Sequence, residues 1–442
     1  MAAVAGLNLR DTRERLEQLC DCSLVQVRDD GGDTLRYVLL QPVREFAAER
    51  VAPEVARRAR ARLRTWLVAF GQNCQQRAHL AITDAQAEMP QIYAAIQSAA
   101  ADQALAQAVD IALAFRRYWE VDTRAGLPAS VTQTLDTARQ TLTDPALRCE
   151  LCVLLCFSRS LDGETKQALA LAQEALDLAP DAKLRAHALM RWAQVIVFSG
   201  GEASGLDATL AQALALAHDV GDLEAQALAL RLQFVVAGNR DDDHVRAEAL
   251  AFQAQTLWER LGHRRNAYGG LMDRASCWIE QRRLDEAATA LATCEQVARQ
   301  EQHATGYITS SWQLGRVAMR LRQSQGALAA FRRCVHGSWQ HLRLAYVADA
   351  LVLVPGGLAL TGQWETAARL QGFAVAHWQA QFGPFYAELE RDVRFTRRVL
   401  LHCLGATRME QLRLEGTCLS LPQAVSLALD GKTGQEAAQG GF

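Results

Sequence analysis

Three cysteines, Cys149, Cys152 and Cys156, stand three and four residues apart. On a helix these positions share one face, so three thiolates could converge on zinc or on an iron–sulfur cluster. The same spacing is also that of a core stripe. Leu151, Leu154, Leu155 and Phe157 run alongside, and no neighbouring Cys or His completes a familiar ligand set. Core packing is therefore the reading, and Cys20 and Cys22 read as a helix-end pair. The ten histidines form no His-Glu-x-x-His pair, no Gly-x-Ser-x-Gly elbow is present, and the carboxylates fall where a cap or a solvated face explains them. Asp241, Asp242 and Asp243 precede a helical stretch from His244, where negative charge is favoured by the helix dipole. No catalytic residue, cofactor site or metal ligand is expected, and the chain does not read as an enzyme.

Arginine carries nearly all the positive charge, since Lys166, Lys183 and Lys432 are the lysines. The run Arg57, Arg58, Arg60, Arg62, Arg64 spreads around a helix instead of aligning on one face, which suits a solvated surface or a partner domain better than a phosphate track. A second set is more suggestive. Arg191, Arg231, Arg274 and Arg316 recur once per repeat, accompanied by Trp192, Trp278 and Trp312. If they face one groove they form an electropositive stripe with stacking surface, suited to an acidic peptide or another anionic ligand.

The elements that would position them follow from a ladder of alanines. Ala168, Ala208, Ala287, Ala327 and Ala367 stand in register at a period of about 40 residues, with a further rung at Ala247 or Ala249. A turn precedes each rung, at Gly163, Gly200-Gly201, Asn239 to Asp243, Arg282-Arg283, Arg322-Gln323 and Gly362. A second turn series lies half a period away, at Pro180-Asp181, Gly221-Asp222, Gly262-His263, Glu301 to His303, Gln340-His341 and Gly383-Pro384. Two turns per period with helical patterning between them predict stacked helix-turn-helix units, closely approached at the alanines and filled elsewhere by tryptophans.

Residues 1–50 differ. A helix capped by Asn8 or Asp11 runs to about Cys22. A strand, Ser23 to Val27, then turns at Asp29 to Asp33 into a returning strand, Leu35 to Leu40, and Pro42 opens a helix to Arg50. Helix, hairpin, helix is the closing half of a winged-helix unit. Residues 51–145 form a helical linker, with helices at Glu54 to Arg77, Asp84 to Ala100, Gln103 to Trp119 and Ala129 to Leu142. Residues 146–383 hold the repeats, 384–430 are capping helices and 431–442 a disordered tail. Net charge is −2 and half the residues are hydrophobic, which argues against a nucleic-acid footprint and for ample burial. The longest uncharged run, Ala350 to Trp364, is short for a bilayer and broken by Pro355-Gly356-Gly357. No signal peptide is read, so the chain is expected in the cytoplasm, off the membrane and without direct nucleic-acid contact.

Gly163-Glu164-x3-Ala168-Leu169, Arg282-x-Leu284-Asp285-Glu286-Ala287-Ala288 and Gly362-x-Trp364-Glu365-x-Ala367-Ala368 resemble the second-helix signature of tetratricopeptide repeats. Leu16-x2-Leu19-x3-Ser23-Leu24-Val25 followed by Arg36-Tyr37-x5-Pro42-Val43-Arg44-Glu45-Phe46-Ala47 resembles the winged-helix segment after the nucleotide-binding domain of bacterial signal-transduction ATPases of the LuxR, AfsR and maltose-regulator type. Ala367-Ala368-Arg369-Leu370-x-Gly372 is similar to the C-terminus of that family. The resemblance implies an all-α fold: a tetratricopeptide-like solenoid preceded by a partial winged-helix segment. It also implies a protein or peptide partner, or a small-molecule inducer, and nucleotide-binding and DNA-binding domains supplied in trans. The ATPase activity does not carry over: Gly431-Lys432-Thr433 mimics the end of a phosphate loop, but Ser426 stands at its first glycine. A chain starting inside the winged-helix unit suggests a truncated or split regulator. The leading expectation is a non-catalytic sensor arm of an ATP-dependent transcriptional regulator; the alternative is a freestanding scaffold for protein assembly.

Overall fold

The computed structural model describes residues 2–29, 35–76, 80–121, 127–199, 205–301, 303–340 and 344–430. The expected turns at Gly200-Gly201 and His341, most of the hairpin turn after Asp29, the phosphate-loop mimic and the tail lie outside them. The chain divides into two compact units, Met1–Glu120 with Leu127–Asp144, and Val121–Gly126 with Pro145–Phe442.

In the first unit α1 (Ala2–Ala5) and α2 (Leu9–Asp21) precede an antiparallel hairpin, β1 (Val25–Asp29) and β2 (Leu35–Leu39), and α3 (Gln41–Arg50). Asn8 caps α2, its side chain accepting from the Asp11 amide at 2.8 Å. The first strand starts two residues later than the sequence suggests, because Ser23 takes a left-handed backbone and belongs to the turn. Leu9, Val27 and Phe46 are all exposed, so this segment has little core of its own. The core of the unit lies in α4 (Pro53–Gln76), α5 (Leu80–Ala101), α6 (Leu105–Ala114), α7 (Arg116–Val121) and α8 (Ala129–Thr141), around Leu67, Ile92, Ile96, Ile111, Phe115 and Leu135. The helix expected over Gln103 to Trp119 breaks at Phe115, and the Gln75 amide donates to the carbonyls of Leu113 and Ala114 freed there. The helix expected from Asp84 starts four residues earlier, at Leu80. The arginine run is distributed among local partners: Arg57 and Arg58 pair with Glu54, Arg62 donates to the Ala5 carbonyl, and Arg60 and the buried Arg64 converge on Asp102. The hydrogen bond from Arg60, aided by Arg64, holds the Asp102 carboxyl well below the usual carboxylate range.

The second unit is a tetratricopeptide-like helical-repeat solenoid. Six hairpins follow one another: α9 (Pro145–Leu161) and α10 (Thr165–Leu178), α11 (Ala182–Phe198) and α12 (Leu206–Asp219), α13 (Leu223–Val235) and α14 (His244–Arg260), α15 (Arg264–Glu280) and α16 (Leu284–Gln300), α17 (Ala304–Arg320) and α18 (Ser324–Gln340), α19 (Leu344–Leu360) and α20 (Trp364–Phe382). From α15 to α19 every helix has 17 residues and the next begins after three more, which produces the 40-residue period. The turns fall as expected, with left-handed residues at Gly163, Arg282, Arg322 and Gly362 after the first helices and at Gly221 and Gly262 after second ones. The alanine rung is the fourth residue of the second helix. Ala168, Ala247, Ala287, Ala327 and Ala367 are fully buried there, so the open choice between Ala247 and Ala249 resolves to Ala247. Ala208 is no rung: it is exposed, and α12, which begins at Leu206, buries Leu206 and Leu210 on either side of it instead. Pro355 sits inside α19, which continues through the Pro-Gly-Gly expected to break it.

Successive first helices pack on one another, α9 on α11, α11 on α13, α15 on α17 and α17 on α19, more closely than successive second helices do. The first helices therefore line the inner, concave side of the curve. After α20 come α21 (Ala387–Leu404), α22 (Ala406–Thr417) and α23 (Leu421–Asp430). Helix α22 lies tight against α20, and α23 packs on α18, α19 and α20. Helix α21 adds no further hairpin at the end of the stack; it turns back onto the inner row.

Candidate functional site on the inner face of the repeats

Of the four arginines in the expected stripe, three are engaged inside the stack. Arg191 is buried on α11, with its guanidinium 4.6 Å from the Phe157 ring and its Nη1 donating to Gln194 at 2.6 Å. Trp192 packs with Leu189, Leu206 and Leu210 in the core of that repeat. Arg274 points toward α14, donating to Gln255 at 3.2 Å between the rings of Phe252 and Trp278, each 4.9 Å away. Trp278 turns the same way and donates to Glu248 at 2.6 Å. Arg316 is 1% exposed, with Trp312 at 5.3 Å. Arg231, at 53% side-chain exposure, is the open member, and it pairs with Asp273 of α15 at 3.0 Å. The structure thus brings Arg274 together with Trp278, and Arg316 with Trp312, without aligning the seven residues in one row.

Sequence reasoning missed the partners of Arg316. Its three nitrogens reach Glu280 on α15 at 2.6 Å and, on α21, Glu388 and Asp392 at 3.0 Å each. Arg320 adds contacts to Glu280 at 3.2 Å and to Asp392 at 2.9 Å. Arg391, on α21, meets Glu280 at 2.8 Å and Asp242 at 2.9 Å. These contacts lay α21 across the C-terminal ends of α13, α15 and α17, while Thr396 farther along it stands beside Gly356 of α19. Burial alone would lift the Glu280 carboxyl, but Arg316, Arg320 and Arg391 outweigh it and hold it below its ordinary value. At Glu388 burial wins over Arg316, and the carboxyl is raised. The acidic pair Glu388 and Asp392 at helical spacing was the available signal; its matching arginines lie more than seventy residues away.

The remainder of the inner face is more open. Gly269 of α15 lies one turn before Asp273, and a Cβ added there would meet nothing within 4 Å. Asp273 raises the Arg231 pKa by its charge, and Tyr346 of α19 is near enough to act in the same sense. One turn beyond Tyr346, Asp349 is half-buried and its carboxyl is pushed up to about 7 by burial. The face therefore carries carboxylates as well as arginines.

The cysteine trio lies in the core of α9. Cys149, Cys152 and Cys156 are buried, Cys149 donates to the Ala175 carbonyl at 3.3 Å, and burial pushes the thiols of Cys149 and Cys156 up to about 11. Such thiols are poor ligands and poor nucleophiles at neutral pH. Asp243 caps α14, accepting from the Arg246 amide at 3.0 Å, as its place in the sequence suggested.

No family model and no curated protein matches the chain. Among solved structures it is similar to a Rap protein complexed with competence and sporulation factor, at 13% identity and a TM-score of 0.52, over 81% of this chain and 99% of that one. It is similar also to a signal transduction ATPase with numerous domains from Pyrococcus horikoshii that has a tetratricopeptide repeat sensor, at 11% identity and a TM-score of 0.52, over 95% of this chain. The chain spans 60% of the length of that ATPase. At these identities the likeness is one of fold: an all-α tetratricopeptide-like repeat array. Among the described residues no helix is long and apolar enough to cross a membrane.

Proposed function

We propose that the chain is a non-catalytic sensor arm whose inner face binds a short linear peptide or a peptide segment of a protein. Occupancy is relayed through the N-terminal helix, hairpin and helix to a nucleotide-binding domain of a transcriptional regulator. The observation that carries this reading is the inner row itself. Gly269, Arg231, Asp273, Tyr346 and Asp349 come from three of the first helices, α13, α15 and α19, and offer an open floor with donors and acceptors, beside a stretch bridged by α21. Extended peptides suit such a face, because their backbone groups need partners and its wall is rigid. The likeness to a signal transduction ATPase over 95% of this chain supports the sensor role.

The test is steric. Tryptophan at Gly269 fills the floor at little folding cost, since its Cβ meets open space and glycine is a poor helix former. Purified chain is exposed to an equimolar library of linear peptides, and retained peptides are read by mass spectrometry. Retention that falls at least ten-fold in Gly269→Trp supports the groove; equal retention, or none in the parent, refutes it. A nucleotide-binding protein retained by the chain, with its hydrolysis rate altered by groove peptide, separates the sensor arm from a freestanding scaffold.

A further inference from the structure

The arginine series in the sequence suggests an anionic ligand; the inner face points the other way. We propose that Asp349 is an anchor for a cationic group, an ammonium or a guanidinium, on the molecule that occupies the groove. This rests on the groove reading above and gives its ligand a charge.

The case begins with the partners of the inner acids. Asp273 has Arg231, Glu280 has Arg316, Arg320 and Arg391, Glu388 has Arg316, and Asp392 has Arg316 and Arg320. Among the described residues Asp349 accepts no hydrogen bond and joins no ion pair, although it is half-buried between the buried residues Ala348 and Ala350. A carboxylate partly withdrawn from water without a partner is costly. The cost is offset if a cation arrives from the groove.

The surroundings suit such a guest. The titratable groups that feel Asp349 are Cys334 of α18 and Tyr386 at the head of α21, with Glu388 and Arg316 beyond Tyr386, and Tyr346 stands one turn earlier on the same helix. Arg316 is taken up by its own three carboxylates, and among the described residues no cation offsets the burial of Asp349. Trp312, Tyr346 and Tyr386 are partly buried against the core that includes Ala348 and Ala350 on either side of Asp349, and aromatic faces attract cations. The Arg231–Asp273 pair, whose arginine feels Tyr346, supplies an anion-binding group on the same inner face. A peptide with one basic and one acidic end matches both.

Full-length protein is titrated with n-butylguanidinium and n-butylammonium, monitored by intrinsic fluorescence, for the parent, Asp349→Asn and Asp349→Glu. Loss of a charged hydrogen-bonded pair corresponds to on the order of ten- to a hundred-fold in affinity. Saturable binding that weakens at least ten-fold in Asp349→Asn and survives in Asp349→Glu supports the anchor. Binding should also fade as pH drops below about 7, where burial has Asp349 take up its proton. Equal binding by the parent and Asp349→Asn, or none by the parent, overturns it. The peptide library separates the two readings. If retained peptides depend on Gly269 but show no basic bias and ignore Asp349→Asn, the anchor fails and the groove stands. If no peptide is retained while butylguanidinium binds through Asp349, the anchor stands and the peptide reading fails.

Discussion

Arg316→Met removes the cation that three carboxylates share. The side chains of Asp392, Glu280 and Glu388 are 0%, 7% and 8% exposed, so water cannot replace the lost guanidinium. Removing one partner of a buried ion pair costs about 3–5 kcal/mol, and here Glu280 keeps Arg320 and Arg391 while Glu388 loses its one arginine. The net expectation is about 3 kcal/mol. Melting temperature moves by roughly 2–4 °C per kcal/mol in domains of 150–250 residues and by less in longer ones, so a drop on the order of 5 °C is expected at pH 7. Glu388, whose carboxyl burial raises even beside Arg316, loses the charge that opposed that rise. Its contribution is intact below the unfolded pKa and is lost as pH rises through the folded value, so the deficit is largest near pH 8 and shrinks toward pH 4. Adding Glu388→Gln and Asp392→Asn to Arg316→Met should restore much of the loss. Differential scanning calorimetry of the three proteins across this pH range is the assay. A variant within about 1 °C of the parent at pH 7, or a deficit that does not change with pH, would show that the network holds nothing together.

Gly372→Ala or Gly416→Ala should separate α20 from α22, because the added Cβ would stand 2.0 Å from the Arg413 carbonyl oxygen or 1.9 Å from that of Arg369. A loss above about 3 kcal/mol with early proteolysis after α20 is expected, and an unchanged melting curve would disprove the close crossing. Asp349→Asn should stabilise the protein at pH 8 and leave it unchanged near pH 4. The folded carboxyl, raised to about 7, disfavours ionisation, so the parent loses stability between those values, by about 2 kcal/mol once the water reaching this group is allowed for. A stability difference that is flat with pH would contradict it. Of the eleven cysteines, a disulfide reagent should label Cys20, Cys22, Cys403 and Cys418 quickly and the buried seven only on unfolding. Fast labelling of Cys152 by peptide mapping would show that α9 is not packed as described.

The repeat architecture was legible because it is local. Short turns, many of them with a left-handed residue, leave a mark between helices, and the buried alanines follow from the distance between paired helices. Ala208 misled because composition alone puts alanine at many positions, and only the start of α12 shows that Leu206 and Leu210 face inward while Ala208 does not. The arginines were harder. Arg191, Arg231, Arg274 and Arg316 do recur at repeat spacing, but a shift of one or two residues on a helix turns a side chain by 100° or more. That turn sends Arg274 toward Phe252 of α14 and Arg316 toward α21. Periodicity fixes which helix a residue is on more securely than which way it points.

The helix that completes the inner face meets the repeats where their regularity fails. Helix α13 does not end at Val235 but continues as a π-helical turn, Val236–Arg240, so that this first helix is one residue longer than its 17-residue counterparts in α15, α17 and α19. A π turn absorbs an inserted residue without shifting the elements on either side, and Ala247 accordingly keeps its rung. What changes is the turn that follows. Asp241 engages Arg240, Asp243 caps α14, and Asp242, with φ of 55°, is left to reach Arg391 of α21. An aspartate run read from the sequence as capping is therefore divided by geometry into one cap, one local pair and one long-range tie. The tie joins residues 149 apart in sequence, a relation that no local pattern records. It sets the end of α21 against the inner row, and with it the boundary between the stretch the protein fills with its own helix and the stretch at Asp349 and Arg231 that it leaves open.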